Sequence, residues 1–161
     1  MGGIGVAAGA QMDRDPFTQT MKAKAEQNFQ THGYLAAIVV AVQSQGIAAE
    51  LLPMEDKDAA ARLIQRFRAA SPLVAVVAES WYIDLTKLAP EQQRQAMDMP
   101  PSKHPKRKEV ALVTIHHGLD TTMYSADIIR KGRKKPVLGP WREAPMAGAE
   151  GRFVTPPAEW N

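Results

Sequence analysis

Two rhythms of apolar and polar positions alternate along the chain. In "DRDPFTQTMKAKAEQNFQTHG" Phe17, Met21, Ala25 and Phe29 recur every four residues, which draws one stripe along an amphipathic helix that docks on a sheet. Asp15 is the expected N-cap, Pro16 suits the first helical position, and Gly33 supplies the C-terminal stop. A second helix is expected in "DKDAAARLIQRFRAASP". There Ala60, Leu63, Ile64 and Phe67 form the buried face, Arg62, Arg66 and Arg68 lie mostly off it, and Pro72 closes it.

The other rhythm is that of strands. "YLAAIVVAVQSQGIAAELLPM" reads as a hairpin with a tight turn at Ser44 to Gly46. Its first strand is apolar at consecutive positions, so both of its faces should be covered. "LVAVVAESWYIDL" and "EVALVTIHH" are two further unbroken apolar runs, again expected as central strands. Between them, residues 86–108 form a long connection with a short helix from Pro90 to Met97. After a turn at Gly118 to Asp120, "TTMYSADIIRK" supplies the next strand. The strand–helix–strand order in the first half suggests a crossover, right-handed if the two strands are parallel.

The pattern therefore predicts an α+β fold: one central, mainly antiparallel sheet of about five strands with two main helices packed on it. Three regions are expected: a flexible Gly/Ala-rich leader over 1–12, a single domain over 13–135, and an extended Pro-rich tail over 136–161. Within the leader, Met12 offers an alternative start. Gly3, Gly5 and Gly9 are spaced roughly as in a dinucleotide fingerprint, but no strand precedes them, so that reading is rejected.

The order helix, strand, strand, helix, strand, strand, strand resembles the profilin-like and roadblock-type arrangement. That resemblance implies a scaffold used for binding and assembly; it is topological, and a fold alone does not assign function. A more local resemblance lies in Glu79 and Trp81 followed by Ser102, Pro105, Arg107 and Glu109. That spacing is similar to a pattern in uncharacterised bacterial and phage proteins, and it implies no activity.

Composition narrows the function classes. The 161 residues are 45% apolar and 23% charged, which suits one folded domain with a real core. Cysteine is absent, so disulfides, thiolate metal sites and cysteine nucleophiles are excluded together. The longest apolar run, residues 34–42, is far short of the roughly 18 needed to span a bilayer. No secretory signal pattern opens the chain. A soluble, cytoplasmic protein with no membrane association is expected. Charge is uneven: residues 1–99 hold 9 Lys/Arg against 11 Asp/Glu and residues 100–161 hold 11 against 6, within a net +3. The basic C-terminal third points to an acidic partner.

Four candidate chemistries follow. His116 and His117 are strand neighbours, so alternation sends them to opposite faces and away from a shared metal. No HExxH or comparable ligand spacing is present, and no metal ligand or cofactor is assigned. Glu79, Ser80, Asp84, His116, His117 and Asp120 fall near the ends of the two long strands. A small hydrolase or metal-dependent enzyme using Glu79 with His116 or His117 is thus a minor alternative, with no catalytic residue assigned; Glu79 is otherwise expected to pair with a basic residue such as Arg107. Two basic runs, Lys103, His104, Lys106, Arg107, Lys108 and Arg130, Lys131, Arg133, Lys134, Lys135, could meet phosphates together, although no aromatic residues interleave them as a stacking platform. Finally, Trp141, Phe153 and Trp160 in the tail are candidate anchors on a neighbouring protein, the alternative being that they fold back over the parent sheet. The resulting expectation is a non-catalytic binding or assembly protein acting through its basic surface and tail. A protein partner or self-association is expected, and a nucleic-acid-binding accessory role is the main alternative.

Overall fold

The computed structural model describes residues 13–82, 88–98 and 108–144. The first helix, α1 (Arg14–His32), starts earlier than expected: its N-cap is Asp13, whose carbonyl accepts the Phe17 N–H at 3.1 Å. Asp15 therefore sits in the first turn, where its charge opposes the positive end of the helix dipole. Pro16 also falls in that turn, where no N–H partner is required. Gly33 ends α1 with φ 77°, its N–H on the Phe29 carbonyl at 2.7 Å, a backbone conformation that side chains with a Cβ resist.

The hairpin follows as β1 (Ile38–Gln43) and β2 (Gly46–Leu51). Helix α2 (Lys57–Ala70) opens at Asp56, whose side chain accepts the Ala59 N–H at 3.0 Å, and ends at Ser71 just before Pro72. Then come β3 (Leu73–Tyr82), α3 (Pro90–Met97), β4 (Lys108–His117) and β5 (Asp120–Ile129). Two short strands complete the order, β6 (Val137–Leu138) and β7 (Arg142–Ala144).

These strands form one seven-stranded sheet in the order β2-β1-β3-β4-β5-β6, with β7 also on β5. Every pairing is antiparallel. Because β2 and β3 flank β1 and both oppose it, they run parallel to each other, and α2 bridges them across β1. The strand count exceeds the expected five because the tail does not leave the domain at residue 136. Val137 and Leu138 pair with Ile129 and Ile128, and residues 142–144 pair with residues 123–125. Short strands at an edge tolerate neighbouring prolines such as Pro136 and Pro140, whose missing N–H breaks only the ends of the ladder.

The unbroken apolar runs are explained by cover on both faces. Val39, Ala41, Val74, Val76, Ala78, Val110, Leu112 and Met123 share one face with Ala60, Leu63 and Ile64 of α2. Val40, Ala75, Val77, Ala111, Val113 and Ile115 share the other with Phe17, Met21, Ala25 and Phe29 of α1. The fourfold recurrence in α1 is thus the imprint of one continuous line of contact with the sheet. Phe17→Ala or Phe29→Ala is expected to lower unfolding stability by about 3–5 kcal/mol. Arg62→Ala, on the exposed face of α2, should change it by less than about 0.5 kcal/mol, both read by urea denaturation.

Candidate functional site

The ladder between β4 and β5 decides where the basic runs go. Val110 lies opposite Asp127, so the start of β4 and the end of β5 are side by side. Lys108, the last residue of the first run, opens β4, and the second run leaves β5 at Arg130, so Lys108 and the second run lie at the same end of the sheet. Residues Lys103, His104, Lys106 and Arg107 lie outside the described residues. Lys108, Arg130, Lys131, Arg133, Lys134 and Lys135 are described and exposed.

These six cations divide by what holds them. Arg130 makes a two-pronged bond to Glu109, 3.0 Å from Nε to Oε1 and 3.1 Å from Nη2 to Oε2. That hydrogen bonding, and then the charge of Glu109, raises the Arg130 pKa above its ordinary value. Lys108 lies 3.7 Å from Asp127, which also accepts from Arg142 at 2.8 Å. Lys135 donates from Nζ to the carbonyls of Gln30 at 2.8 Å and Thr31 at 3.4 Å. It thereby satisfies carbonyls that the last turn of α1 cannot pair by itself. Three cations remain. Lys131, Arg133 and Lys134 have no ion pair or side-chain hydrogen bond among the described residues. They ride on a turn closed by the Lys134 N–H on the Lys131 carbonyl at 3.1 Å, with Gly132 at φ 60°. The sequence marks the basic run but not this division, which depends on acidic residues and a helix end brought in from elsewhere in the chain.

The two histidines separate as alternation requires: His116 is buried on the α2 face, and His117 is exposed. Glu79 does not join either. It lies opposite Ala111 on the α1 face, whereas His116 lies opposite Val74. Five residues of β3 part them, roughly 17 Å at ~3.4 Å per residue, on opposite faces. Arg107, the expected partner of Glu79, is outside the described residues; the carboxylate accepts the Leu35 N–H at 2.7 Å and so ties the entry to β1 onto β3. Ser80 Oγ donates to the Trp81 carbonyl at 3.2 Å, and Asp120 is exposed beside the turn. Asp84 lies outside the described residues. Among the described residues no group of three or more His, Asp or Glu is placed to hold a metal ion.

Of the three tail candidates Trp141 is described, and it lies against its own chain. Its Nε1–H donates to Glu26 Oε1 at 2.8 Å, and the ring is half-buried against the cluster that includes Tyr124 and Leu138. The indole is thus spent on the chain's own first helix, because β6 and β7 carry it back across β5. Lys22 Nζ lies 4.0 Å from the centre of the Tyr124 ring, a cation–π contact at the same seam. Phe153 and Trp160 lie outside the described residues.

Polar atoms that sequence reading missed sit on the α2 face of β4 and β5. Thr114 Oγ1, His116 Nε2 and Ser125 Oγ are buried with no hydrogen-bond partner among the described residues, while His116 Nδ1 lies 3.0 Å from Thr121 Oγ1. Thr114 and His116 share parity with Val110 and Leu112, and that parity was the one available signal. Burial, and after it the nearby Arg68 charge, pushes the His116 pKa down from 6.5 to about 3. Between those values the unfolded chain holds the extra proton, so this residue's contribution to stability is lost as pH falls from about 6.5 towards about 3 and is constant above. His116→Gln is expected to flatten that slope. The difference between wild type and variant should change by on the order of 2–3 kcal/mol between pH 7.5 and pH 4.5, measured by urea denaturation at each pH.

Comparison with models of known families, with curated proteins and with solved structures finds no match to this chain.

Proposed function

We propose that this chain is a non-catalytic binding protein that presents the basic end of its sheet to an acidic surface on a partner protein. The observation that supports this reading is the gathering of Lys108, Arg130, Lys131, Arg133, Lys134 and Lys135 at one end of the β4–β5 ladder. Lys131, Arg133 and Lys134 are held there on a short turn between paired strands. Charges fixed on such a turn keep their mutual spacing, which favours a complementary surface over a disordered counterion cloud. The neighbouring ion pairs of Glu109 and Asp127 contribute little to stability at an exposed site, but they orient the strands from which the turn projects. Phe153 and Trp160 are the remaining candidates for apolar contact with the same partner.

A nucleic-acid partner is the second reading, favoured by the five basic side chains that the sequence packs between Arg130 and Lys135. Phosphates need only clustered cations, with no further recognition motif. An enzyme built on Glu79 with His116 or His117 draws no support from the geometry: His116 lies on the opposite face, and His117, opposite Leu73, lies six β3 positions away, roughly 20 Å at ~3.4 Å per residue.

The charge-reversed variant Lys131→Glu/Arg133→Glu/Lys134→Glu tests the proposal, with immobilised polyglutamate and duplex DNA as probes. Wild type is expected to bind polyglutamate at low salt and to lose affinity steeply as salt rises from about 50 to 200 mM. The variant should lose binding at least tenfold with unchanged thermal unfolding. Binding that survives the triple change overturns the assignment to this turn. Tighter binding to DNA, with a log–log salt slope near −2.7 for about three phosphate contacts, decides for the second reading.

A further inference from the structure

We propose that the outer edge of β2 is a self-pairing surface, on which two copies of this chain join antiparallel about a two-fold axis through Ala49. This surface lies at the opposite edge of the sheet from the basic turn and does not depend on the function proposed for that turn.

The first observation is that the edge is open among the described residues, where strand β2 pairs with β1 alone and ends the sheet order. Its six residues run in unbroken register from Gln43↔Gly46 to Ile38↔Leu51. Exposed edges are usually blunted by charged side chains, lysine above all, by proline or by a bulge; Gly46 to Leu51 carry a single charge, Glu50, with no lysine, proline or bulge. Two large apolar side chains stand uncovered on the strand, Ile47 at 46% and Leu51 at 69% exposure.

Hydrogen-bond parity then restricts the register. The Leu52 N–H donates to the Ala37 carbonyl at 2.9 Å, which places the directly bonded pairs of this hairpin at Gly46, Ala48 and Glu50 of β2. Alternation turns the N–H and C=O groups of Ile47, Ala49 and Leu51 outward. A two-fold partner must match outward groups with outward groups. Centred on Ala49, the pairs are Ile47 with Leu51, Ala49 with Ala49, and Leu51 with Ile47, joined by about six main-chain hydrogen bonds. Ile47, Ala49 and Leu51 all lie on one face, that of Ile38, Val40 and Val42. Each apolar side chain thus meets its apolar counterpart across the new ladder, the kind of cross-strand pair that stabilises a sheet.

Charge selects the same arrangement. Glu50, the one charged residue of β2, falls opposite Ala48 of the second copy. A register centred on Glu50 would oppose two carboxylates. Four strand positions separate β2 from β5, about 19 Å at ~4.8 Å each. Pairing through β2 therefore keeps the two basic turns several Debye lengths apart, whereas pairing at the opposite edge, that of β6, would bring them together. The contact spans one strand per copy, at or below the ~1,200 Å² low end of specific interfaces, so the dimer should form and dissociate with concentration.

Sedimentation velocity of the full chain from about 1 to 500 μM tests this, the monomer being 17.6 kDa. The expected result is a concentration-dependent shift to twice that mass, little affected by salt. Ala49→Pro removes only an outward N–H, and Leu51→Lys places a charge on the edge. Each should raise the dissociation constant at least tenfold with circular dichroism unchanged, and Leu51→Lys alone decides if the proline disturbs the hairpin. A chain that stays monomeric throughout, or a dimer that both variants leave intact, overturns the proposal. A dimer that salt dissolves and the triple charge reversal abolishes also overturns it, because that dimer belongs to the basic turn.

Discussion

The ten-residue ladder between β3 and β4, from Leu73↔His117 to Tyr82↔Lys108, is the constraint on which the rest of the molecule depends. Both strands are apolar on both faces, so each must lie in the middle of a sheet with a helix above and below. Alpha-helices α1 and α2 satisfy that need from opposite sides. A slip of one residue would exchange the two faces. Ala75 and Val77 would then turn towards α2, and Glu79 would lose the Leu35 N–H that it holds on the α1 side.

The same ladder separates the chemistry that the chain offers. It sends His116 to one face near the β4–β5 turn and Glu79 to the other face near the far end. At that far end, the β4–β5 ladder gathers the positive charge. Much of this charge serves the fold itself: Arg130 clamps Glu109, Lys108 and Arg142 share Asp127, and Lys135 closes the carbonyl end of α1. The three cations left over are therefore displayed by a turn whose neighbours are each tied to a different element.

Much of the architecture was legible from pattern alone. The short helix Pro90–Met97 and the hairpin turn at Ser44 stand where proline, glycine and apolar spacing put them. The opposite facing of His116 and His117 followed from strand period without any tertiary information. The misses have physical causes. Asp13, Asp15 and Pro16 compete for the start of α1, and local capping preferences differ by too little to decide among them. The strands at 137–138 and 142–144 are too short to show a period, and they exist because β5 has a free edge to pair with. Thr114 and Ser125 look like ordinary strand residues until the packing of α2 on the sheet buries their hydroxyls.

The sequence by itself determined the identity and order of the main elements, the two-sided cover of the central strands and the uneven placement of charge. These depend on local periodicity, which is a property of residues near one another in the chain. Only the tertiary structure decided which cations are engaged, that Trp141 folds onto Glu26, that Glu79 and His116 never meet, and which atoms of β2 face outward. Each of those outcomes is a contact or a register between segments far apart in sequence, and the spacing of residue types along one segment carries no information about its partner.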